Sequence, residues 1–319
     1  MKKFTHINAS TVAEAASALG QYGDKAAAVA GGTDLLRELN MRVRPEQPEY
    51  VVNLKTIAGL DYIEEDSGGL KIGALTRLHD IAFSSVVQSK YSVLAQAARK
   101  VASKQVRNMG TISGNITQQV QCWYYRSSFN KFNCLRKPGG TLCYATLGNN
   151  RYHSIFGAAE GCISVHPSDT APALVALDAK IVTNTRTIDA ADFFDGLRST
   201  VLDSDEIITE IQVPTPPANS KQSFAKASVR KAIDFAIANV AVVIAPASGS
   251  ITSARVVLNG VAPTPKRATK AEEALVGNTI TDAVADAAAE AAVDGAIALP
   301  YNKYKIAVAK GVVKRALLA

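Results

Sequence analysis

Short apolar runs separated by polar turns open the chain, and their order predicts a strand, a helix and a second strand between Phe4 and Ala30. Ser10 or Thr11 can cap this helix, and the segment from Gly20 to Lys25 ends it. Short strands follow at Tyr50 to Leu54 and Leu70 to Leu75. Apolar residues on one helical face then predict a helix over about Tyr91 to Ala102.

The pattern changes after Pro214 to Ser220, a Pro/Ser/Asn-rich segment that we interpret as a domain boundary. Before it lie a short helix that begins near Pro172 and a strand that ends with Ile208 to Pro214. After it come two strand-like stretches, FAKASVRKAIDFAIANVAVVIAP and ARVVLNGVAP, and an alanine-rich, mostly helical stretch from Thr269 to Leu318. The patterns therefore predict an α+β protein whose last hundred or so residues form a separate domain.

Two glycine-bearing segments are candidates for cofactor contact. AAAVAGGTDLL places Gly31, Gly32, Thr33 and Asp34 after a small-residue strand, and KQVRNMGTISGNI supplies a second loop of the same character. Such backbone can approach a ligand closely, and its free N–H groups can hold phosphate. Taken by itself, the first loop is better interpreted as an ordinary glycine turn, because short glycine loops are common.

Composition indicates a globular protein, with 47% hydrophobic and 20% charged residues. No apolar run is long enough to span a bilayer, and the N-terminal MKKFTHINAST lacks the apolar stretch of a secretory leader. We therefore expect no membrane association and a cytoplasmic location, while export as part of a folded complex stays open. The formal charge of +7 predicts a basic surface without the dense Lys/Arg and aromatic pattern of a nucleic-acid face. A docking face for an acidic protein partner is also compatible with this charge.

All four cysteines, Cys122, Cys134, Cys143 and Cys162, lie within 41 residues, and the other 278 residues contain none. Scattered core cysteines would not cluster in this way, so the window indicates a site. In a reducing compartment such cysteines are more readily metal ligands or free thiols than disulfides. Their spacing, C-x11-C-x8-C-x18-C, lacks a C-x2-C pair and leaves an iron–sulfur cluster, a zinc site and no metal all open.

Taken together, five segments in order resemble the FAD-binding medium subunit of the molybdenum hydroxylases, the xanthine dehydrogenase and carbon monoxide dehydrogenase flavoprotein family. These segments are AGGTDLL, IGALTRLHDI, KQVRNMGTISGNI, HPSDTAPAL and FAKASVRKAIDFAIANVAV. The resemblance implies a two-subdomain FAD-binding module of the PCMH type, similar to vanillyl-alcohol oxidase, over residues 1–215. It places an insertion at about 120–163 and a small C-terminal α+β domain of the CO dehydrogenase flavoprotein type at 220–319.

The resemblance also implies which residues face FAD. The first loop should line the pyrophosphate, the second loop should face the cofactor, and the polar turn at Ser168 and Asp169 should lie beside the ribityl and phosphate groups. Positions from the last third should approach the isoalloxazine. The complete set is Val29, Ala30, Gly31, Gly32, Thr33, Asp34, Leu35, Thr111, Gly114, Asn115, Gln118, Ser168, Asp169, Ile207, Ile208, Lys226 and Phe235. One departure is Ser113-Gly114, where the family usually has two glycines, because a serine there needs a compatible backbone angle.

The cysteine window looks like the inserted loop of 4-hydroxybenzoyl-CoA reductase medium subunits and related bacterial aldehyde oxidoreductases. That likeness implies a [4Fe-4S] cluster on Cys122, Cys134, Cys143 and Cys162. We interpret the nearby His153 and His166 as hydrogen-bonded or surface residues rather than ligands. Trp123, Tyr124 and Tyr125 are equally consistent with shielding a cluster and with packing the insertion.

The implied function is electron transfer within an oxidoreductase. A large partner subunit would bind molybdopterin and the substrate, a small partner would carry two [2Fe-2S] clusters, and an acceptor or donor such as a ferredoxin-like carrier or NAD would exchange electrons with this chain. Two alternatives are a self-sufficient flavin oxidoreductase and a scaffold stabilised by zinc on the four cysteines.

Overall fold

The computed structural model of the protein describes residues 1–197 and 199–319. Its N-terminal part contains a three-stranded parallel sheet of β1 (Thr5–Asn8), β2 (Ala26–Val29) and β3 (Tyr50–Asn53). The strands lie in the order β1-β3-β2. The helical elements are α1 (Val12–Tyr22), a 3-10 turn (Gly23–Lys25) and α2 (Leu35–Met41). The order β1, α1, β2 confirms the strand-helix-strand prediction. Thr11 caps the helix, as one of the two predicted capping residues, by accepting a hydrogen bond from the Glu14 amide.

A five-stranded antiparallel sheet follows, and it shares a hydrophobic core with several of the short helices within residues 78–176. Its strands are β4 (Ile63–Asp66), β5 (Gly69–Gly73), β6 (Lys180–Thr183), β7 (Thr187–Asp189) and β8 (Ile208–Val213). They lie in the order β4-β5-β8-β6-β7, so β8 pairs with β6 and with β5, which lies far earlier in the chain. The helices are α3 (Leu78–Phe83), α4 (Ser85–Lys90), α5 (Ser92–Lys100), α6 (Lys104–Arg107), α7 (Ile112–Ile116), α8 (Tyr144–Leu147) and α9 (Ala171–Ala176).

The C-terminal part is a four-stranded antiparallel sheet with three helices on one face. These elements are β9 (Lys221–Ala227), β10 (Ala238–Ala245), β11 (Ser253–Asn259), β12 (Lys266–Arg267), α10 (Thr269–Leu275), α11 (Asp282–Ala292) and α12 (Tyr304–Leu318). The strands lie in the order β12-β11-β10-β9. The α+β fold predicted from the sequence is confirmed.

Strand β10 is buried on both faces, which explains its nearly uninterrupted apolar sequence. Val240, Val242 and Ile244 pack in the core of the C-terminal part. Ala241 and Val243 pack in the core that contains residues of the five-stranded sheet. Each fully buried valine or isoleucine contributes about 1.5–3 kcal/mol relative to an exposed one. The C-terminal sheet is therefore packed between two hydrophobic cores, one on each of its faces.

The cysteine-bearing segment contains little regular structure. Between residues 120 and 163 it forms a 3-10 turn (Ser128–Asn130), helix α8 and two isolated β-bridges, Cys134 with Leu142 and Ala159 with Cys162. Val120, Tyr125 and Cys134 of this segment pack in a small core with Val43 of the N-terminal part. Among the described residues, none of the helices has the length and apolar character needed to cross a bilayer.

Candidate functional site

The first glycine loop connects β2 to α2 and leaves its backbone donors free. Within residues 1–197 and 199–319, the amide N–H groups of Gly31, Gly32 and Thr33 have no hydrogen-bond acceptor. Gly32 has a φ of +73°, a conformation that glycine adopts without steric cost. A Cβ on Gly31 would lie 2.0 Å from the Met109 carbonyl oxygen, so this loop touches the second glycine loop backbone to backbone.

The second loop is fixed by hydrogen bonds to the segment after β5. The Leu78 amide donates to the Gly110 carbonyl (2.9 Å), and the Ile112 amide donates to the Thr76 carbonyl (3.0 Å). Thr111 caps α7 by accepting from the Gly114 amide (3.2 Å). Ser113, which departs from the family's usual glycine, lies within α7 with a negative φ and donates to the Ala74 carbonyl (2.7 Å). The serine therefore fits the helical turn without strain.

Residues of both loops line a cleft of about 470 Å³, here called the interloop cleft. Free amide donors beside closely approaching glycine backbone fit an anionic, phosphate-bearing cofactor such as FAD. Of the residues predicted to face FAD, those that line this cleft are Val29, Ala30, Gly31, Gly32, Thr33, Asp34, Leu35, Thr111, Gly114, Asn115, Gln118, Asp169 and Phe235. Ser168, Ile207, Ile208 and Lys226 are outside its lining: Ile207 and Ile208 belong to two hydrophobic cores, and the other two lie behind cleft residues.

The polar turn at residues 168–170 is hydrogen-bonded to Asn115 of the second loop. Ser168 Oγ and Thr170 Oγ1 both donate to Asn115 Oδ1, at 2.6 and 2.7 Å. Ser168 is fully buried. These two bonds fix the side chain of Asn115, which lines the cleft, so Ser168 contributes to the site by orienting a cleft residue.

Asp169 forms a buried ion pair with Lys226 of β9 at 2.6 Å between Oδ2 and Nζ. Both side chains are about 95% buried, and Asn239 Nδ2 also donates to Asp169 Oδ1 at 2.6 Å. Burial raises the pKa of Asp169, and the Lys226 ammonium and the Asn239 amide oppose that shift. The pair joins the C-terminal sheet to the floor of the interloop cleft.

Several cleft residues were missed by reasoning from sequence. Val101 and Ala102 follow α5, and Ile233 and Asp234 lie in the loop between β9 and β10. Two of them, Ala102 and Ile233, have positive φ angles although neither is glycine. No sequence pattern marks such residues, because their positions depend on packing between distant segments.

The four cysteine thiols line a second, smaller cavity, here called the thiol cavity, together with Tyr124, Tyr125, Leu135, Arg136, Tyr144, Ala145, His153 and Ser164. All four are free thiols. His153 Nε2 lies 3.2 Å from Cys122 Sγ, and Ser164 Oγ lies 3.1 Å from Cys162 Sγ. Burial raises the pKa of Cys122 to about 12 and also raises the pKa of Cys134.

In the described part of the chain, no group of three or more His, Cys, Asp or Glu side chains is arranged to hold a single metal ion. A four-iron cluster makes a different demand, because each of its four cysteines binds a different iron atom and the sulfurs stand apart around a cavity. Four thiols around one cavity are the donor set that such a cluster requires. The [4Fe-4S] assignment therefore stays a prediction that the donor set fits.

An ion pair connects the first glycine loop to the cysteine segment. Arg126 Nη2 binds Asp34 Oδ1 at 2.7 Å and also donates to the Gln119 carbonyl at 2.8 Å, while its Nε donates to the Val120 carbonyl at 2.9 Å. The Arg126 amide in turn donates to the Cys122 carbonyl at 2.8 Å. Asp34 lines the cleft, but its carboxylate is occupied in holding the segment that carries Cys122.

A third cavity of about 400 Å³ lies between the other two. It shares Cys122 and His153 with the thiol cavity and Pro167 and Phe235 with the interloop cleft. Trp123, predicted either to shield a cluster or to pack the insertion, lines this middle cavity and is 38% exposed. Tyr125 is 2% exposed and packs in the small core of the insertion.

Two families account for nearly the whole chain. The family described as the FAD binding domain in molybdopterin dehydrogenase matches residues 2–216. The CO dehydrogenase flavoprotein C-terminal domain matches residues 223–319.

Individual relatives agree with these matches. The chain is 37% identical over 286 residues to the aldehyde oxidoreductase FAD-binding subunit PaoB of Escherichia coli K12, with 86% of each chain covered. It is 32% identical over 330 residues to the carbon monoxide dehydrogenase medium chain of Hydrogenophaga pseudoflava, covering 99% of this chain and 96% of the relative. A solved structure of carbon monoxide dehydrogenase from Hydrogenophaga pseudoflava superimposes with a TM-score of 0.79 at 31% identity and covers 100% of this chain and 97% of that one.

Proposed function

The chain belongs to the family of FAD-binding subunits of molybdenum hydroxylases, and from this premise we propose that it transfers electrons between the [2Fe-2S] clusters of a partner subunit and an external acceptor or donor. It would do so with FAD in the interloop cleft and a [4Fe-4S] cluster in the thiol cavity. The observation that carries the proposal is the row of three adjoining cavities, in which free backbone donors lie at one end and four thiols at the other.

For FAD, the proposed roles follow from the free donors and the close loop contact. The amides of Gly31, Gly32 and Thr33 would donate to the pyrophosphate, because they have no acceptor in the described protein. Asn115 would present its amide from the second loop, since hydrogen bonds from Ser168 and Thr170 fix its side chain. Bound FAD supplies both one-electron and two-electron exchange, and the protein's part is to bind, orient and enclose it.

The predicted residues outside the cleft lining have proposed supporting roles. Lys226 would keep Asp169 ionised and in place at the cleft floor. Ile207 and Ile208 would support the site through their cores. We also propose the domain division at 1–215 and 220–319, with the insertion at about 120–163.

For the thiol cavity, we propose a cluster because all four thiols line the same cavity. Sulfur-only ligation suits iron–sulfur centres. The free thiols are also consistent with the cytoplasm, which we keep as the proposed compartment.

The proposed complex contains a molybdopterin-binding large subunit, where the substrate reacts, and a small subunit with two [2Fe-2S] clusters. The external electron partner would be a ferredoxin-like carrier or NAD. A basic chain, with a formal charge of +7, favours an acidic protein carrier, and that attraction weakens as salt is added.

The decisive experiment is anaerobic purification of the chain with its co-expressed partners, followed by flavin, iron and zinc analysis of the separated subunit. We expect one FAD and about four irons per chain. Cys134→Ser should remove the iron–sulfur absorption and keep FAD, whereas Thr146→Ala, at an exposed position of the same segment, should change neither. Flavin without iron would instead favour a self-sufficient flavin oxidoreductase, and a colourless zinc protein would favour a scaffold.

A further inference from the structure

Lys305 is a fully buried lysine in the first turns of α12, with an exposed fraction of 0%. Its ammonium donates to three backbone carbonyls, those of Tyr152 (3.1 Å), His153 (2.9 Å) and Gly260 (2.7 Å). Among the described residues it forms no ion pair with a carboxylate. Burial lowers the pKa of Lys305 to about 7. Each of the three N–H groups of its ammonium has a carbonyl acceptor, and these bonds favour the charged form although no anion compensates it.

The residues around Lys305 bind the same short segment, residues 150–154, that follows Cys143. Asn302 Nδ2 donates to the carbonyls of His153 (3.2 Å) and Ser154 (2.9 Å). The Tyr301 amide donates to Asn150 Oδ1 at 3.1 Å. The start of α12 is therefore an anchor for this segment, although the two are about 150 residues apart in sequence.

The anchored segment forms a wall of the thiol cavity. His153, whose carbonyl receives bonds from both Lys305 and Asn302, places its Nε2 3.2 Å from Cys122 Sγ. The cavity lining contains no Asp or Glu within the described chain, while Arg136 Nη1 lies 3.8 Å from Cys162 Sγ. The surroundings of the four thiols thus carry positive charge without a matching carboxylate.

Burying an ammonium without a counter-ion is costly, and a methionine would pack in the same space without that cost. Four thiolates around a cluster carry net negative charge, which would provide the missing compensation. We propose that Lys305 is a positioning residue for the thiol cavity: it holds the backbone that keeps His153 against Cys122, and its charge stabilises an anionic centre there. The charge part rests on the proposed cluster, whereas the positioning part holds for the chain without iron.

The test compares Lys305→Met with Lys303→Met in the complete complex. Both variants lose one positive charge from the same turn, but Lys303 is exposed. We expect Lys305→Met to lower the midpoint potential of the added cluster, because losing a cation disfavours the more negative, reduced form. The expected change is on the order of tenfold in the reduction equilibrium, or about 59 mV for one electron. Lys303→Met should leave the potential unchanged.

A second readout needs no cluster. In the iron-free full-length chain, iodoacetamide should alkylate Cys122 several-fold faster in Lys305→Met than in the parent, with Cys143 as the internal reference. Asn302→Ala should have the same effect on Cys122 while leaving the charge in place, and it decides the positioning question if Lys305→Met does not fold.

The outcomes separate this inference from the proposed function. A parent without iron contradicts the cluster, yet the alkylation rates still test the positioning. An iron-containing parent whose potential and Cys122 alkylation are both unaffected by Lys305→Met overturns the inference and leaves the electron-transfer function intact. Parental Cys122 alkylation in Asn302→Ala likewise overturns the positioning role.

Discussion

Gly31→Ala is the substitution that the structure predicts to weaken FAD binding most directly. The added Cβ would lie 2.0 Å from the Met109 carbonyl oxygen, 2.7 Å from its carbon and 2.9 Å from the Gly110 Cα. All three are backbone atoms, so no side-chain rotation can make room. Because Gly31 has a φ that alanine also adopts, the effect comes from the contact between the two loops and not from backbone strain.

The magnitude follows from how far the loops must separate. Real Cβ contacts are almost never below 3.0 Å, so the loops must move apart by at least 1.0 Å at this point. Forcing an extra methyl group into a packed contact costs about 1–3 kcal/mol. The unliganded protein can relax by opening the cleft, whereas the proposed FAD site requires both loops in place. The cost should therefore appear in the affinity, as a 5- to 150-fold increase in Kd by order of magnitude.

The assay is titration of FAD-depleted protein with FAD, followed by flavin fluorescence, with the thermal midpoint measured in parallel. Gly311→Ala is the matched control, because Gly311 lies within α12 and its added Cβ would meet nothing within 4 Å. That variant should bind FAD as the parent does and gain about 1 kcal/mol from improved helix propensity. If Gly31→Ala binds FAD with the parental Kd, the loop contact does not define the cofactor site and the reasoning is wrong.

Two further predictions concern buried charge. Lys226→Met should destabilise the protein by about 3–5 kcal/mol in denaturant unfolding, because it leaves the Asp169 carboxylate buried without a cation. Adding Asp169→Asn should recover much of that loss. A cost of Lys226→Met below about 1 kcal/mol would contradict the proposed importance of the ion pair. His166 is buried, and within residues 1–197 and 199–319 neither of its ring nitrogens has a hydrogen-bond partner; burial lowers its pKa to about 3. Since the unfolded chain binds a proton near pH 6.5 and the folded chain does not, stability should fall as pH drops from about 6.5 toward 3, by at most about 1.4 kcal/mol per unit from this residue. His166→Phe should flatten that slope in urea unfolding, and an unchanged slope would show that His166 is not its source.

Local patterns in the sequence were sufficient for most of the elements and for both glycine loops. Thr11 caps α1 as its position before an apolar face predicts, and Gly31 and Gly32 lie where a small-residue strand runs into backbone with free donors. These features depend on residues within a few positions of one another, so the sequence contains the information directly. The sequence also predicts strand structure around β10, whereas its burial on both faces and its division between two cores depend on tertiary packing.

The partners of the charged residues could not be predicted in this way. Asp34 was expected to face the cofactor, yet its carboxylate binds Arg126, and Lys226 reaches Asp169 instead of lining the cleft. Lys305 looked like one more lysine of a C-terminal helix, but it is buried against carbonyls about 150 residues earlier in the chain.

The sequence by itself therefore determined the family, the order of the elements and the two kinds of donor, backbone amides and thiols, that the site offers. The tertiary structure alone decided how those donors are held: which wall carries Cys122, which cation faces Asp169 and which side chain anchors His153. The reason is physical. A capping bond or a glycine turn forms between near neighbours whatever the rest of the chain does, whereas a buried charge finds its partner only when distant segments pack and water is excluded.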